Sequence, residues 1–105
     1  MIETFRSWLF RNQSLLGRDG ITFDLSPSSE GLLKNGVSAV LKSERFEVTI
    51  ELWETGESEF YFLDWEAADR DLEYQPEVVH HDFSDKSQMF AALEQLVSRM
   101  SPVMA

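Results

Sequence analysis

Residues 45–65, RFEVTIELWETGESEFYFLDW, hold two alternating runs of residues that are joined by a turn. In the first run, apolar side chains stand at every second position from Phe46 to Leu52, and a period of two predicts a half-buried strand. The second run, from Phe60 to Trp65, is dense in aromatic residues, which favour strands. The stretch therefore predicts a β-hairpin around which the rest of the chain is organised.

The turn between the two runs decides which side chains the two faces of the hairpin carry. Gly56 can adopt the positive φ that a type I turn with a G1 bulge requires, and in that register Ile50 lies opposite Phe60. A two-residue turn would shift the pairing by one residue and bury Tyr61 instead. We favour the first register because it needs a positive φ only at the glycine. The core face then carries Val48, Ile50, Leu52, Phe60 and Phe62, and the opposite face carries Glu47, Thr49, Glu51, Trp53, Glu59, Tyr61, Leu63 and Trp65.

Amphipathic helices are expected at both ends of the sequence. Residues 2–17 carry an apolar stripe at helical spacing, and Gly17 suits the residue that follows a helix. A second helix is expected from about Asp85, which forms a capping-box pattern with Gln88. It ends before Pro102. The two stripes consist of Ile2, Phe5, Trp8, Leu9, Leu15 and Leu16, and of Met89, Phe90, Leu93, Leu96, Val97 and Met100.

Three further strands complete the expected fold. Alternation predicts strands at residues 21–25 and 36–43, with a loop over 26–31 between them. A last strand is expected at about 78–83, after Pro76, and residues 66–73 are expected to form a loop or a short helical turn. Short connections favour an antiparallel meander, and two amphipathic helices are buried most simply on one face of it. The fold class is therefore α+β: a single domain, residues 1–105, with a five-stranded, mainly antiparallel sheet and both terminal helices on one face.

Composition and charge restrict the possible functions. The chain of 105 residues has no cysteine and 43% hydrophobic residues, which is typical of a globular domain without disulfides. It has no signal peptide and no apolar run long enough to span a membrane, so a cytoplasmic location is expected. The net charge is −10, and residues 44–85 carry 14 acidic and two basic side chains. This acidity disfavours binding to nucleic acid and favours a basic partner.

The sequence has little that indicates catalysis or metal binding. His80, His81 and Asp82 are adjacent, but neighbouring residues of a strand point to opposite faces, so the two histidines do not share a metal without distortion. No second histidine-rich element completes a site. Cysteine nucleophiles, phosphate-binding loops and dinucleotide-binding motifs are missing from the sequence. We therefore expect a protein that is not an enzyme and that uses no cofactor or metal.

The arrangement resembles the TriTu family of bacterial immunity proteins. The resemblance rests on the helix with Phe5, Trp8 and Leu9, on residues 14–16 and 21–25, on hairpin residues 48–57 and on the C-terminal amphipathic helix. It implies an inhibitor that binds the catalytic domain of one Rhs-type polymorphic toxin, an ADP-ribosyltransferase that modifies elongation factor Tu, and blocks its active site. The resemblance assigns no individual binding residues.

The expected partner-binding residues are therefore chosen from the acidic segment and from the hairpin face opposite the core. The aromatic members should anchor the interface, and the carboxylates should meet lysines or arginines of the toxin. The set is Glu51, Trp53, Glu54, Glu57, Glu59, Tyr61, Asp64, Trp65, Asp69 and Asp71. Two other classes fit an acidic domain: a DNA mimic that inhibits restriction enzymes, and a secretion adaptor or chaperone. A DNA mimic is disfavoured because the carboxylates alternate with aromatic residues instead of forming an uninterrupted run.

Overall fold

A meander of five antiparallel strands forms the centre of the molecule. The computed structural model describes residues 1–27 and 36–101. Its elements are α1 (Ile2–Arg11), α2 (Gln13–Arg18), β1 (Thr22–Pro27), β2 (Gly36–Lys42), β3 (Phe46–Trp53), β4 (Glu57–Asp64), α3 (Trp65–Arg70), β5 (Glu77–Asp82) and α4 (Lys86–Met100). The strand order is β1-β2-β3-β4-β5, so each strand pairs with its neighbour in sequence. The expected α+β class, with a five-stranded antiparallel sheet and helices at both termini, is confirmed.

The central hairpin has the register that was expected from its turn. Ile50 pairs with Phe60 and Val48 with Phe62. Gly56 has a φ of +96°, and its N–H donates to the carbonyl oxygen of Trp53 at 2.9 Å. The glycine therefore closes the turn in a conformation that a residue with a side chain rarely adopts.

Both terminal helices pack on one face of this sheet. Phe5 and Leu9 of α1, and Met89 and Leu93 of α4, are all buried in one core. On the sheet side, that core contains Val37, Ala39, Leu41, Val48, Ile50, Leu52, Phe60 and Phe62. Phe5, Met89 and Leu93 surround the same group of sheet residues. The expected placement of both helices is therefore correct, and the opposite face of the sheet carries no helix in the described part of the chain.

The expected helix over residues 2–17 is wrong in two respects. Gly17 lies inside α2 instead of following the helix, which ends at Arg18, and the helix is divided at Asn12. The side-chain amide of Asn12 donates to the carbonyl oxygen of Trp8 at 2.8 Å, and the residue has φ −99° and ψ 5°. Asparagine side chains that bond to the local backbone compete with regular helix geometry. The change of direction leaves Leu15 exposed, although it was expected in the apolar stripe, while Leu16 remains buried.

Strand β4 ends one residue earlier than its sequence suggested. Trp65 was expected to continue the strand, but it begins helix α3 instead. The carboxylate of Asp64 accepts hydrogen bonds from the backbone N–H groups of Glu66 and Ala67, which is a helix N-cap. A capped helical turn, one of the two expectations for residues 66–73, therefore occupies their first half.

The other boundaries differ by one or two residues. Strand β1 extends to Pro27 and so includes two residues of the expected loop; the rest of that loop lies outside the described residues. Helix α4 begins as its capping box predicted: Asp85 accepts from the N–H of Gln88 at 3.0 Å. The side chain of Gln88 in turn accepts from the N–H of Ser84 at 2.8 Å. Within the described ranges, no helix is long and apolar enough to cross a membrane.

Substitution of Gly56 by alanine should be strongly destabilising. A Cβ at this position would overlap the carbonyl oxygen of Phe83, and the positive φ adds strain. We expect a loss of at least about 1–3 kcal/mol in the free energy of unfolding, measured by urea denaturation. Gly17 provides the matched control, because a Cβ there meets nothing within 4 Å. Gly17→Ala should be neutral or stabilising by up to about 1 kcal/mol. Equal effects of the two substitutions would contradict the proposed role of the turn.

Two residues of the α4 stripe should differ in their contributions to stability. Leu93 is buried, whereas Phe90 is only partly buried against the core. Leu93→Ala should reduce the free energy of unfolding by about 2–5 kcal/mol, the usual range for truncation of a buried leucine. Phe90→Ala should reduce it by less than this truncation usually does, although the sequence placed both residues in the same apolar stripe. A larger loss for Phe90→Ala in thermal or urea unfolding would show that this part of the core is described incorrectly.

Candidate partner-binding surface

The sheet face opposite the helices is the candidate surface, and we call it the open face. Because side chains alternate along each strand, the register assigns its members directly. They include Asp24 of β1, Val40 and Lys42 of β2, Glu47, Thr49 and Glu51 of β3, Glu57, Glu59, Tyr61 and Leu63 of β4, and Val78, His80 and Asp82 of β5. Four of the ten residues predicted to bind a partner lie together here, namely Glu51, Glu57, Glu59 and Tyr61.

The open face is acidic. Its carboxylates are Asp24, Glu47, Glu51, Glu57, Glu59 and Asp82, spread over four of the five strands. Among the described residues of this face, Lys42 is the one lysine, and its ammonium lies 3.7 Å from a carboxylate oxygen of Glu47. The face therefore has a clear excess of negative charge, and it favours a partner with a positively charged surface.

Two carboxylates in the middle of the open face lie directly opposite each other. Glu51 of β3 pairs with Glu59 of β4, and like charges in directly opposed positions are unfavourable in a sheet. Glu59 has local partners: the hydroxyl of Tyr61 donates to it, and Nδ1 of His80 lies 3.5 Å from it. Glu51 differs, because its Oε2 is shielded from solvent and has no hydrogen-bond partner among residues 1–27 and 36–101.

Tyr61 is the aromatic residue that the open face presents. It lies between Thr49 on β3 and Val78 on β5, and 36% of its surface is exposed. Val78 is also exposed, and Leu63 lies two residues further along the same strand face. This arrangement places an aromatic ring and two aliphatic side chains beside the opposed carboxylates, so apolar and charged groups lie together in the middle of the face.

Trp53 was expected to be an exposed anchor, and this expectation is wrong. Its side chain is only 6% exposed, although its position in β3 belongs to the open face. The residue opposite Trp53 in β2 is Gly36, which has no side chain. The burial gives Trp53 a role in stability and removes it from the accessible surface.

Glu54 is engaged within the molecule. Its carboxylate accepts a hydrogen bond from the N-terminal ammonium of Met1 at 2.9 Å and one from the backbone N–H of Ile2 at 3.3 Å. The ammonium contact is the main cause of the lowered pKa of Glu54. Negative charge at the start of a helix is favourable, and α1 has no side-chain cap of its own. Glu54 therefore joins the hairpin turn to the first turn of α1.

Asp64 is also a structural residue. Arg45 donates to it twice, from Nε at 3.1 Å and from a terminal nitrogen at 3.0 Å, while the same carboxylate caps α3. These contacts, and first of all the hydrogen bond from Arg45, lower the pKa of Asp64. A carboxylate with four internal donors has little capacity left for a partner.

The remaining predicted residues lie away from the open face. Trp65, which is 44% exposed, and Asp69 line a cavity of about 730 Å³ between α3, the β2–β3 turn and the end of α4. Asp71 accepts from the backbone N–H of Glu73 at 2.9 Å in the turn after α3. The predicted set is therefore not brought together: four members lie on the open face, and the others are buried, bound within the molecule or placed on α3 and the turn after it.

Sequence reasoning missed the contribution of β5 to this surface. Val78, His80 and Asp82 extend the open face beyond β4, where they pair with Tyr61, Glu59 and Glu57 in turn. The signal that could have identified them is the expected last strand at about 78–83: once it is paired with β4, every second side chain must join the open face.

The two histidines point to opposite faces, as their positions in a strand predicted. His80 is largely exposed on the open face, whereas His81 is stacked on Phe83 and meets the edge of Phe60 with ring centroids 5.1 and 4.7 Å away. Burial lowers the pKa of His81. Among the described residues, no group of three or more histidine, aspartate or glutamate side chains is arranged to hold a metal ion.

Comparisons of the chain with protein-family models, with curated proteins and with solved structures found no match. The residues of the open face and the resemblance to the TriTu family are therefore the basis of a functional proposal.

The Asp64–Arg45 contact should make stability depend on pH. Asp64 has a pKa below its ordinary value of 3.8 in the folded protein. Its contribution is therefore complete above about pH 4 and is lost as the pH falls through the folded-state pKa. Asp64→Asn, which can still cap a helix, should lower the urea midpoint at pH 7. The difference from wild type should shrink at pH 3, and a constant difference across this range would contradict the assignment.

Proposed function

We propose that this protein is a non-enzymatic immunity protein that acts in the cytoplasm. It binds the catalytic domain of one antibacterial toxin through the open face and covers the toxin's active site. The observation that carries the proposal is the pair of opposed carboxylates, Glu51 and Glu59, in the middle of an accessible acidic sheet face. The resemblance to the TriTu family adds the class of partner, an Rhs-type toxin with ADP-ribosyltransferase activity.

The carboxylate pair supports a cationic partner because it is unfavourable in the isolated protein. Two like charges in opposed strand positions reduce stability by roughly 0.2–1 kcal/mol. The shielded Oε2 of Glu51 adds the cost of an acceptor without a donor. A lysine or arginine of a bound toxin that lies against the pair would relieve the repulsion, since it neutralises part of the negative charge. Binding energy is thus gained where the free protein is destabilised.

The apolar part of the open face supports tight binding as well as charge attraction. Tyr61 lies at the centre of the face, and Val78 and Leu63 flank it. Aromatic residues that become desolvated at the centre of an interface dominate its energy, while charges at the rim mainly affect association rate and partner choice. Tyr61 therefore replaces Trp53 as the expected anchor.

The acidic face also fits what a toxin active site presents. An enzyme that binds NAD must hold the negative diphosphate of the dinucleotide, and a cleft with positive groups is suited to this task. An acidic domain that covers such a cleft competes with the substrate for the same charges. The proposal thus accounts for inhibition by occupancy and requires no chemistry from the immunity protein.

The test is a double substitution that removes the charge of the central pair without changing its shape. Glu51→Gln with Glu59→Gln should stabilise the free protein by roughly 0.2–1 kcal/mol, since the repulsion is lost. The probe is the catalytic domain of an Rhs toxin encoded by the neighbouring gene, which we call the adjacent toxin. The same variant should bind this domain at least about tenfold more weakly, a loss of about 1.4 kcal/mol. Urea unfolding and calorimetric titration measure the two effects. Co-expression in growing cells then shows whether protection is reduced in parallel.

Glu94→Gln is the matched control, because Glu94 is an exposed glutamate of α4 on the other side of the molecule. It should change neither stability by more than about 0.5 kcal/mol nor toxin binding. If the double variant bound and protected like wild type, the open face would not be the inhibitory surface. If wild type bound no adjacent toxin domain at micromolar concentration, the immunity function itself would be refuted.

A further inference from the structure

Strand β5 forms one edge of the sheet, and its outward backbone groups can be identified. Phe83, the residue after β5, donates its N–H to the carbonyl oxygen of Gly56 at 2.9 Å. These two residues continue the β4–β5 register, in which Asp82 pairs with Glu57. In an antiparallel pair, residues that bond to the neighbouring strand alternate with residues whose N–H and C=O point away. The outward-facing backbone groups are therefore those of Val78, His80 and Asp82.

This edge is open in the described part of the chain. All residues of β5 except His81 are exposed, including Val78 on the open face and Val79 on the face that carries the helices. Exposed edge strands are templates for further strand pairing, and proteins usually protect them with bulges, prolines or a covering segment. Pro76 lies just before β5 and therefore does not interrupt the strand. The strand is six residues long, or about 20 Å.

Both sides of the edge offer sites for the side chains of an added strand. On one side, the acidic open face continues through Asp82 and Glu59 to the edge. On the other side, a groove between β5 and α4 has a volume of about 140 Å³, close to that of one aliphatic side chain. The groove is lined by Phe60, Phe62, Val79, His81, Leu96 and Arg99, among others. Alternate residues of an added strand would face these two environments in turn.

We propose that the toxin adds an extended segment to β5 as a sixth strand of the sheet. The proposal rests on the proposed function for the identity of the partner. Residues of the segment that face the open side are basic, and meet Glu59 and Asp82, while an alternate apolar residue enters the groove beside Leu96. Backbone hydrogen bonds to Val78, His80 and Asp82 supply affinity, and the alternation of basic and apolar residues supplies specificity.

Charge selects this occupant over a second copy of the same chain. Each copy carries a net charge of −10, and β5 itself contributes Glu77 and Asp82, so pairing of two β5 edges would bring like charges together. A basic segment has the complementary charge. It also lies in continuity with the open face, so one toxin domain can contact both surfaces.

A proline at an outward-facing position tests the proposal. His80→Pro removes the N–H that the added strand needs but leaves the bonds between β5 and β4 in place, and proline is tolerated on edge strands in this orientation. His80→Ala is the matched variant, because it removes the same imidazole and keeps the N–H. We expect His80→Pro to bind the adjacent Rhs toxin's catalytic domain at least tenfold more weakly than His80→Ala does. Circular dichroism and thermal unfolding check that both variants are folded.

Amide hydrogen exchange of the wild-type protein supplies a second readout that needs no variant. Bound toxin should slow exchange at Val78, His80 and Asp82. If the toxin bound but these amides exchanged as in the free protein, or if His80→Pro bound as well as His80→Ala, the sixth strand would be refuted and the immunity function would stand. Protection of the same amides without toxin, with dimers in sedimentation, would assign the edge to a second copy and overturn the proposal. Absence of any toxin binding would overturn both.

Discussion

The close approach of Gly56 to Phe83 is the constraint on which the rest of the structure depends. The positive φ of Gly56 closes the β3–β4 turn, and its carbonyl oxygen accepts the N–H of Phe83. The turn fixes which side chains of the hairpin face the helices, and the hydrogen bond with Phe83 fixes the register of β5. A slip of one residue at this point would turn β4 over relative to β3, burying Glu59 and Tyr61 and exposing Phe60. The acidic surface and the core are thus determined together.

The same constraint explains why much of the fold could be predicted. Alternation from Val48 to Phe62, with one glycine in the turn, leaves only two registers, and one of them strains a residue that has a side chain. Helix breaks and ends were harder to predict, because they depend on single hydrogen bonds. Asn12 divides the first helix by bonding to Trp8, and Asp64 ends β4 by capping α3. Such side chains can bond to several backbone groups, and only the tertiary structure shows which one they use.

The candidate surface was predicted less completely, for a related reason. Composition shows that residues 44–85 are acidic, but it does not distinguish carboxylates that hold the fold together from those that are available to a partner. Glu54 and Asp64 bind donors within the molecule, whereas Glu51 and Glu59 face each other on the open side. The strand alternation correctly places Glu51 on the open face and its neighbours Ile50 and Leu52 in the core. The partners of Glu54 and Asp64 are distant in sequence, at the N-terminus and at Arg45, and no local pattern indicates them.

A selective partner needs both a basic surface for the open face and an extended segment for the β5 edge. A protein that met only the acidic face would bind through charges that salt screens, and its rate of association would depend strongly on ionic strength. A segment that met only the edge would gain backbone hydrogen bonds that almost any extended chain can form, and would have little selectivity. Because Tyr61 and Val78 connect the two regions, a cognate partner can use both at once, with charge for encounter and strand pairing for lifetime. Partners that lack either the basic surface or the extended segment would lose one of these contributions. This combination provides a physical basis for the selectivity that the proposed function requires.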